Sequence, residues 1–338
     1  MNFEAIDKDL IWHPFTPLTG SSEPMLIESA KGVYLHTKDG RKIIDAISSW
    51  WVNIHGHSNE FIANAIHEQA KKLEHVIFAG FTHEPAIRLA KNVQSILPGD
   101  MSKIFFSDDG STAVEVALKM ALQFWYNRGV NKKKIIAIRG GYHGDTFGAM
   151  AVGERGMFTD PFRSHLFDVA YIDFPLADIE SKVLKEFKDL VETEEIAAFI
   201  FEPLVQGAAG LRMYSPLILD SLINEAKHHN VICIADEVFT GFGRTGRTFA
   251  CEYLSETPDI IAVSKGITGG TMALGVTACS KKIVAAFESA DLTKTFFHGH
   301  SYTANPIACA AANVSYDLLM KEECRLQMTM INKLHEAF

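Results

Sequence analysis

The chain is short of cysteine, of basic charge and of long apolar runs, and each shortage removes a class of function. Its five cysteines, Cys233, Cys251, Cys279, Cys309 and Cys324, are scattered, odd in number and never in a CxxC pair. A disulfide framework and a zinc site are therefore not expected, and a reducing, cytoplasmic setting fits the pattern. Lys plus Arg number 32 against 41 Asp plus Glu, a net charge of −9. That balance argues against nucleic acid or an anionic membrane as a partner, and the acidic surplus serves solubility. The richest apolar stretch, Met272–Cys279, falls far short of the roughly 20 residues of a membrane span. The opening Met1-Asn2-Phe3-Glu4 is acidic and lacks an apolar run, so no signal peptide is expected. No internal repeat and no low-complexity tract interrupts the chain.

What is present is a 338-residue chain, 47% hydrophobic, long enough for one large domain or two ordinary ones with a sizeable core. Short apolar runs alternate with amphipathic stretches, which predicts an α/β fold around a largely parallel sheet. The expected strands are Lys103–Phe106, Lys134–Ile138, Ala197–Phe201, Val231–Ala235, Ile260–Ser264 and Val276–Cys279. The expected helices are Phe61–Leu73, Ser111–Trp125, Pro216–His228 and Ala304–Glu322. Phe61, Ala65 and Leu73 would share the buried face of the first, and Val114, Leu118, Ala121 and Trp125 that of the second. Asp39-Gly40, a strong turn dipeptide, predicts a hairpin between Gly32–His36 and Lys42–Asp45. The expected division is an N-terminal segment over 1–60, a large sheet domain over 61–297, and a loop with a linker helix over 298–338.

Three strand ends carry chemistry. The apolar run from Val231 ends in Asp236-Glu237, and open α/β sheets bind ligands outside such ends. The alternative for Asp236 is a helix cap. The run Ile260–Val263 leads to Ser264-Lys265-Gly266, with Gly269 and Gly270 close behind. Lys265 is either a solvated surface lysine or a desolvated nucleophile against a ligand. Ser107-Asp108-Asp109-Gly110-Ser111-Thr112 lies between a strand and a helix start, where backbone N–H groups suit an anion. The alternative there is a capping box of Ser111 or Thr112 with Glu115. Taken together, a lysine, an acid and a helix N-terminus at strand ends supply what pyridoxal 5'-phosphate (PLP) requires. The lysine forms the Schiff base, the acid pairs with the pyridine nitrogen, and the helix takes the phosphate.

The stretch Asp236–Gly246, reading Asp-Glu-Val-Phe-Thr-Gly-Phe-Gly-Arg-Thr-Gly, followed by Ser264–Gly270, resembles the signature of the class III, fold-type-I PLP aminotransferases. Gly141–Thr146 and Glu202-Pro203 fall where that family has them, and the resemblance covers essentially the whole chain. It implies a mostly parallel seven-stranded sheet flanked by helices, with a small N-terminal element. It implies a homodimer with a shared active site and ping-pong transamination. Lys265 would hold the cofactor and shuttle the proton, and Asp236 would pair with the pyridine nitrogen. Val238 and Tyr142 would cover the two ring faces. Gly110 and Ser111 would bind the phosphate, together with Ser301 from the second subunit. Trp50, Phe15, Asp145, Arg244 and Gly299 would contact substrates. For Trp50 and Trp51 the alternative is core packing. His55, His57, His298 and His300 lack metal spacing, so no metal is expected.

Ile11–Thr16 and Ser48–His57 narrow the resemblance to the branch of the family that serves biotin synthesis. That branch converts 7-keto-8-aminopelargonate to 7,8-diaminopelargonate, with S-adenosylmethionine as donor. Three departures stand out. Phe15 replaces a common tyrosine. His298-Gly299-His300-Ser301 is a form that also occurs in relatives using lysine as donor. The chain stops at Phe338, so the family's C-terminal small domain, with its carboxylate-binding arginine, is expected to lie outside it. Lysine as donor, another class III ω-aminotransferase, and an inactive PLP-fold regulator stay open at this stage. A dinucleotide-binding oxidoreductase also stays open, because Gly241–Gly246 matches GxGxxG.

Overall fold

The computed structural model describes residues 2–193 and 195–337. Met1 and Phe338, the outer ends of the first and last expected segments, lie outside the described residues. The first sheet is a three-stranded antiparallel one of β1 (Ile27–Lys31), β2 (Tyr34–Thr37) and β3 (Lys42–Ile44). The predicted hairpin joins β2 to β3, and Gly40 turns it with φ at +85°. β1 was not expected.

The central sheet has seven strands: β4 (Met101–Ser107), β5 (Lys134–Ile138), β6 (Val169–Ile172), β7 (Ile196–Phe201), β10 (Ile232–Asp236), β11 (Ile260–Val263) and β12 (Gly275–Ser280). Between β7 and β10 a small hairpin pairs β8 (Val205–Gln206) with β9 (Arg212–Met213). The spatial order is β4-β12-β11-β10-β7-β5-β6, and β12 alone runs antiparallel to its neighbours. Helices cover both faces, so the inner strands are apolar along their whole length. All six residues of β7 are buried. Phe199 and Phe201 enter one apolar layer, with Leu89, Phe187 and Ile223. Ala198 and Ile200 enter the other, with Val114, Phe124 and Trp125. β6, absent from the expectation, is a four-residue edge strand, too short to stand out from its surroundings.

Two expected helices need correction. The first spans Glu60–Lys72, and its buried residues are Ile62 and Gln69, whereas Phe61 is 64% exposed. One residue is about 100° of helix, so the expected face was turned away from the helix Pro306–Leu319 on which this one packs. The stretch Ala304–Glu322 is not one helix. It starts at Pro306, capped by Asn305, whose side chain accepts from the N–H groups of Ile307 and Ala308. It ends at Leu319, and a second helix runs over Glu322–Glu336. Among the described residues no helix is long and apolar enough to cross a membrane. The carboxyl ends of β4, β5, β7, β10 and β11 share one edge, because these strands are parallel in effect once β12 reverses twice.

Candidate active site

At that edge opens a cavity of about 620 Å³ lined by Gly110, Ser111, Tyr142, His143, Glu202, Asp236, Val238 and Lys265, with Trp50 and Trp51 across from them. Asp236, the last residue of β10, is 3% exposed. One carboxylate oxygen accepts from the Val238 N–H at 3.0 Å. The other lies 2.7 Å from Nδ1 of His143. Asp236 caps no helix: the chain from Val238 to Thr245 runs through turns. The GxGxxG segment Gly241–Gly246 lies in the same turns and opens no helix, which removes the structural basis of dinucleotide binding.

His143 and Glu202 stand behind Asp236. Burial opposes a proton on His143, but the hydrogen bond and charge of Asp236 outweigh it and raise its pKa. Glu202 accepts from the N–H of Tyr142 at 3.0 Å and of Gly207 at 2.8 Å. Burial pushes its pKa up to about 7. Both residues sit in segments matched to the family above, yet neither was given a role. A histidine and an acid next to glycine or proline at the ends of buried strands are the only local signal of them.

Lys265 follows β11 with φ at +46°, a left-handed conformation, and Gly269 and Gly270 turn the loop behind it with φ at +63° and +83°. Its ammonium lies 5.2 Å from the ring centre of Trp51 and 5.7 Å from that of Phe239. Burial lowers its pKa, with Asp236 and Glu202 opposing and Arg244 adding to the fall. It is not a solvated surface lysine.

The helix beyond β4 spans Gly110–Asn127. Its cap is Asp109, which accepts from the Thr112 N–H at 2.7 Å, while Thr112 Oγ1 accepts from the Asp109 N–H. The expected box with Glu115 does not form, because Glu115 instead accepts from the N–H groups of Gly148 and Ala149. Gly110 and Ser111 are thus left free of capping, facing the cavity. A Cβ at Gly110 would lie 2.6 Å from Cγ1 of Val238, so only glycine allows this approach.

A second cavity, about 530 Å³, adjoins the first and shares Lys265, Tyr142, Trp50 and Trp51 with it. Phe15, Asp145 and Phe158 also line it. Phe15 meets Trp50 edge-on at 5.8 Å. Trp50 is 53% exposed, so it is not a core residue. Tyr142 donates its hydroxyl to Asp145 at 2.9 Å, and burial raises its pKa. The backbone from Ser48 to Trp51 is left-handed at four successive non-glycine residues, a conformation that costs about 1–2 kcal/mol at each.

Three residues assigned to the substrates or the phosphate lie outside both cavities of this protomer. Arg244 lines neither cavity: its guanidinium is desolvated behind Trp51 and donates to the Trp51 carbonyl at 2.8 Å. Gly299 and Ser301 lie in an exposed loop and line neither cavity. The loop is drawn to the Gly110–Asn127 helix, where Lys119 meets His298 Nδ1 at 2.9 Å. Ser301 is assigned to a second subunit, and Gly299, two residues before it, shares its loop. Among the described residues there is no group of three or more His, Cys, Asp or Glu able to hold a metal ion.

Comparison with known proteins agrees with this arrangement. The family model "Aminotransferase class-III" matches residues 18–336. A relative from Synechococcus elongatus, named adenosylmethionine-8-amino-7-oxononanoate aminotransferase, is 48% identical over 325 residues, 94% of this chain and 77% of the relative. One of the same name from Staphylococcus aureus is 40% identical over 324 residues, 90% of this chain and 72% of the relative. The crystal structure of the enzyme of that name from Methanocaldococcus jannaschii superposes with a TM-score of 0.92 at 38% identity, over 96% of this chain and 76% of that one. A PLP-bound amine transaminase from an uncultivated Pseudomonas species gives 0.88 at 29% identity, over 93% and 75%. The chain belongs to the class III aminotransferases and is a PLP-dependent enzyme of that family.

Proposed function

We propose that the chain aminates 7-keto-8-aminopelargonate to 7,8-diaminopelargonate in biotin synthesis, with S-adenosylmethionine as amino donor. The observation that carries the reading is the joining of Lys265, Asp236 and the Gly110 helix start in one cavity, on a chain 48% identical to a relative named for that reaction. The lining fits the cofactor. The desolvated Lys265 amine suits covalent attachment. The buried Asp236 suits the pyridine nitrogen, and Val238 and Tyr142 suit the two ring faces. The bare Gly110 and Ser111 N–H groups suit the phosphate. When bound, PLP supplies the electron sink for breaking a bond at the amine carbon.

The chain's own residues then divide the work. His143 keeps Asp236 oriented through its 2.7 Å contact. Lys265, its basicity lowered by burial, takes and returns the proton between the two carbons concerned. Trp50 and Phe15 form an apolar wall against the substrate chain, and Asp145 with the Tyr142 hydroxyl offers the polar counterpart. Arg244 acts through Trp51. Ser301 reaches the phosphate from a second copy in a homodimer, which makes the site a shared one. The reading also takes 1–60, 61–297 and 298–338 as the segments of the chain and the cytoplasm as its place. Lysine is the second candidate donor, because of His298-Gly299-His300-Ser301.

The test is the visible spectrum of the PLP-loaded protein, taken before and after adenosylmethionine, then lysine. Conversion of the bound cofactor to its amine form by adenosylmethionine is the expected result. Conversion by lysine alone changes the donor. A loaded protein that no donor converts, or whose amine form never transfers to 7-keto-8-aminopelargonate, refutes the reading.

A further inference from the structure

Ser48, Ser49, Trp50 and Trp51 have φ of +49°, +48°, +67° and +64°. The Trp51 N–H donates to the Ile47 carbonyl at 2.8 Å, and the Val52 N–H to the Ser48 carbonyl at 3.0 Å. The segment is one turn of left-handed helix, built without glycine. Each of its residues carries the steric penalty that makes this turn rare for L-amino acids. Such a conformation persists only where its surroundings over-determine it. The turn contains no buried residue, so the protein core does not hold it.

Besides the Arg244 guanidinium on the Trp51 carbonyl, a polar group outside the cavity does. The Asp45 side chain is 6% exposed. Its carboxylate accepts from the Ser49 N–H at 3.0 Å, from the Ser49 hydroxyl at 2.7 Å, and from His57 Nε2 at 2.8 Å. The other nitrogen of His57 meets Asn53 Nδ2 at 2.9 Å. One acid therefore ties the entry of the turn, at Ser49, to its exit, at Asn53. On the cavity side the turn presents Trp51, edge-on to Phe239 at 4.8 Å, and Trp50 against Phe15. The exit is pressed on the loop after Lys265: a Cβ at Gly270 would lie 3.0 Å from Cα of Asn53.

We infer that Asp45 is a positioning residue for the reaction: it holds the Ser48–Trp51 turn left-handed and so keeps both indoles in the Lys265 cavity. Without it, Ser49 and Trp50 relax toward negative φ, and the indoles swing out of the wall. The inference rests on the cavity being the transamination site and is independent of which amine or ketone enters it.

Two measurements test it. The first needs no cofactor: acrylamide quenching of tryptophan emission in a Trp12→Phe background, which removes the most exposed indole. Trp125 is 6% exposed, so Trp50 and Trp51 then dominate the change. Asp45→Ala should raise quenching clearly above the parent. The second is kinetic. With PLP trapped by borohydride at Lys265 as in the parent, Asp45→Ala should lose kcat/KM on the order of 10- to 100-fold, the scale of a small misplacement. Most of the loss should fall on KM. Ser49→Gly added to Asp45→Ala should recover part of both, because glycine adopts the left-handed turn without penalty, an outcome a merely structural role would not give. If Asp45→Ala fails to fold, Ser49→Ala, which deletes one of the three bonds, should show the same changes at smaller size. Unchanged quenching and KM in a folded, loaded Asp45 variant overturn the inference. A parent protein that traps no PLP at Lys265 overturns the reading of the cavity instead, and the quenching result still decides the role of Asp45.

Discussion

Replacing Glu202 by glutamine should flatten the pH dependence of stability between pH 5 and pH 8. Glu202 is buried behind His143 and Asp236, and its folded pKa is raised from 4.5 to about 7. The sign follows from proton binding. Below pH 4.5 both folded and unfolded chains keep this proton, and its contribution to stability is whole. As pH rises, the unfolded chain releases the proton first, and stability falls until the folded pKa is passed. At roughly 1.4 kcal/mol per pH unit the gap corresponds to about 3 kcal/mol, most of which falls between pH 5 and pH 8. Glutamine has no proton to lose, so this slope should vanish. His143, whose pKa is also raised, leans the same way and remains in the variant. The substitution has its own pH-independent cost. Its amide oxygen can accept from only one of the Tyr142 and Gly207 N–H groups, and leaving a buried donor unpaired costs about 1–3 kcal/mol. The variant should therefore be less stable than the parent at pH 5 and as stable or more stable at pH 8. Urea unfolding of the cofactor-free protein at pH 5, 6, 7 and 8, followed by circular dichroism, measures both curves. Parallel curves would show that Glu202 is ionised throughout and that the burial argument is wrong.

Other substitutions probe the cavity more directly. Gly110→Ala sets a methyl 2.6 Å from Val238 Cγ1, so PLP affinity in an absorbance titration should fall at least several-fold. Val238→Ala in the same chain should restore much of it by making room, whereas no recovery would place the effect elsewhere. Lys265→Ala should abolish both transamination and borohydride trapping of PLP, while the melting temperature stays level or rises, since a desolvated amine is removed. PLP trapped on another lysine of that variant would sink the assignment. Phe15→Tyr adds a hydroxyl to an exposed ring at the cavity wall. Stability should stay within about 0.5 kcal/mol, and KM for one substrate should fall. A change in the melting curve with no change in KM would remove Phe15 from the substrate wall.

Much of this architecture is legible without coordinates, and the reason is physical. Strands buried on both faces are unbroken apolar runs, so Ile196–Phe201, Ile232–Asp236 and Ile260–Val263 announce themselves, and Asp236 and Lys265 follow at their ends. What stays hidden depends on contacts distant in the chain. His143 meets Asp236 across 93 residues, and Glu202 meets Tyr142 across 60. No local pattern reports such pairs. The cap of the Gly110 helix went to Asp109 because Glu115 was already engaged by Gly148 and Ala149, another distant contact. Phe61 looked like core because it is apolar, yet the packing helix selected the stripe through Ile62.

Three departures from local rules meet at one place. Nothing in Ser48-Ser49-Trp50-Trp51 signals a left-handed turn, since residues without glycine avoid it. Lys265 has positive φ where a lysine would not choose it. Glu202 is a buried acid that burial drives toward neutrality. All three places border the same cavity. A sequence free to optimise stability would replace each of them with a residue that suits its backbone or its burial. Their joint presence at one strand edge is what a site organised for chemistry looks like when stability is set against function. The same reasoning singles out Asp45. It lies outside the cavity lined by the tryptophans, yet its carboxylate is spent on holding the least favourable backbone of that wall.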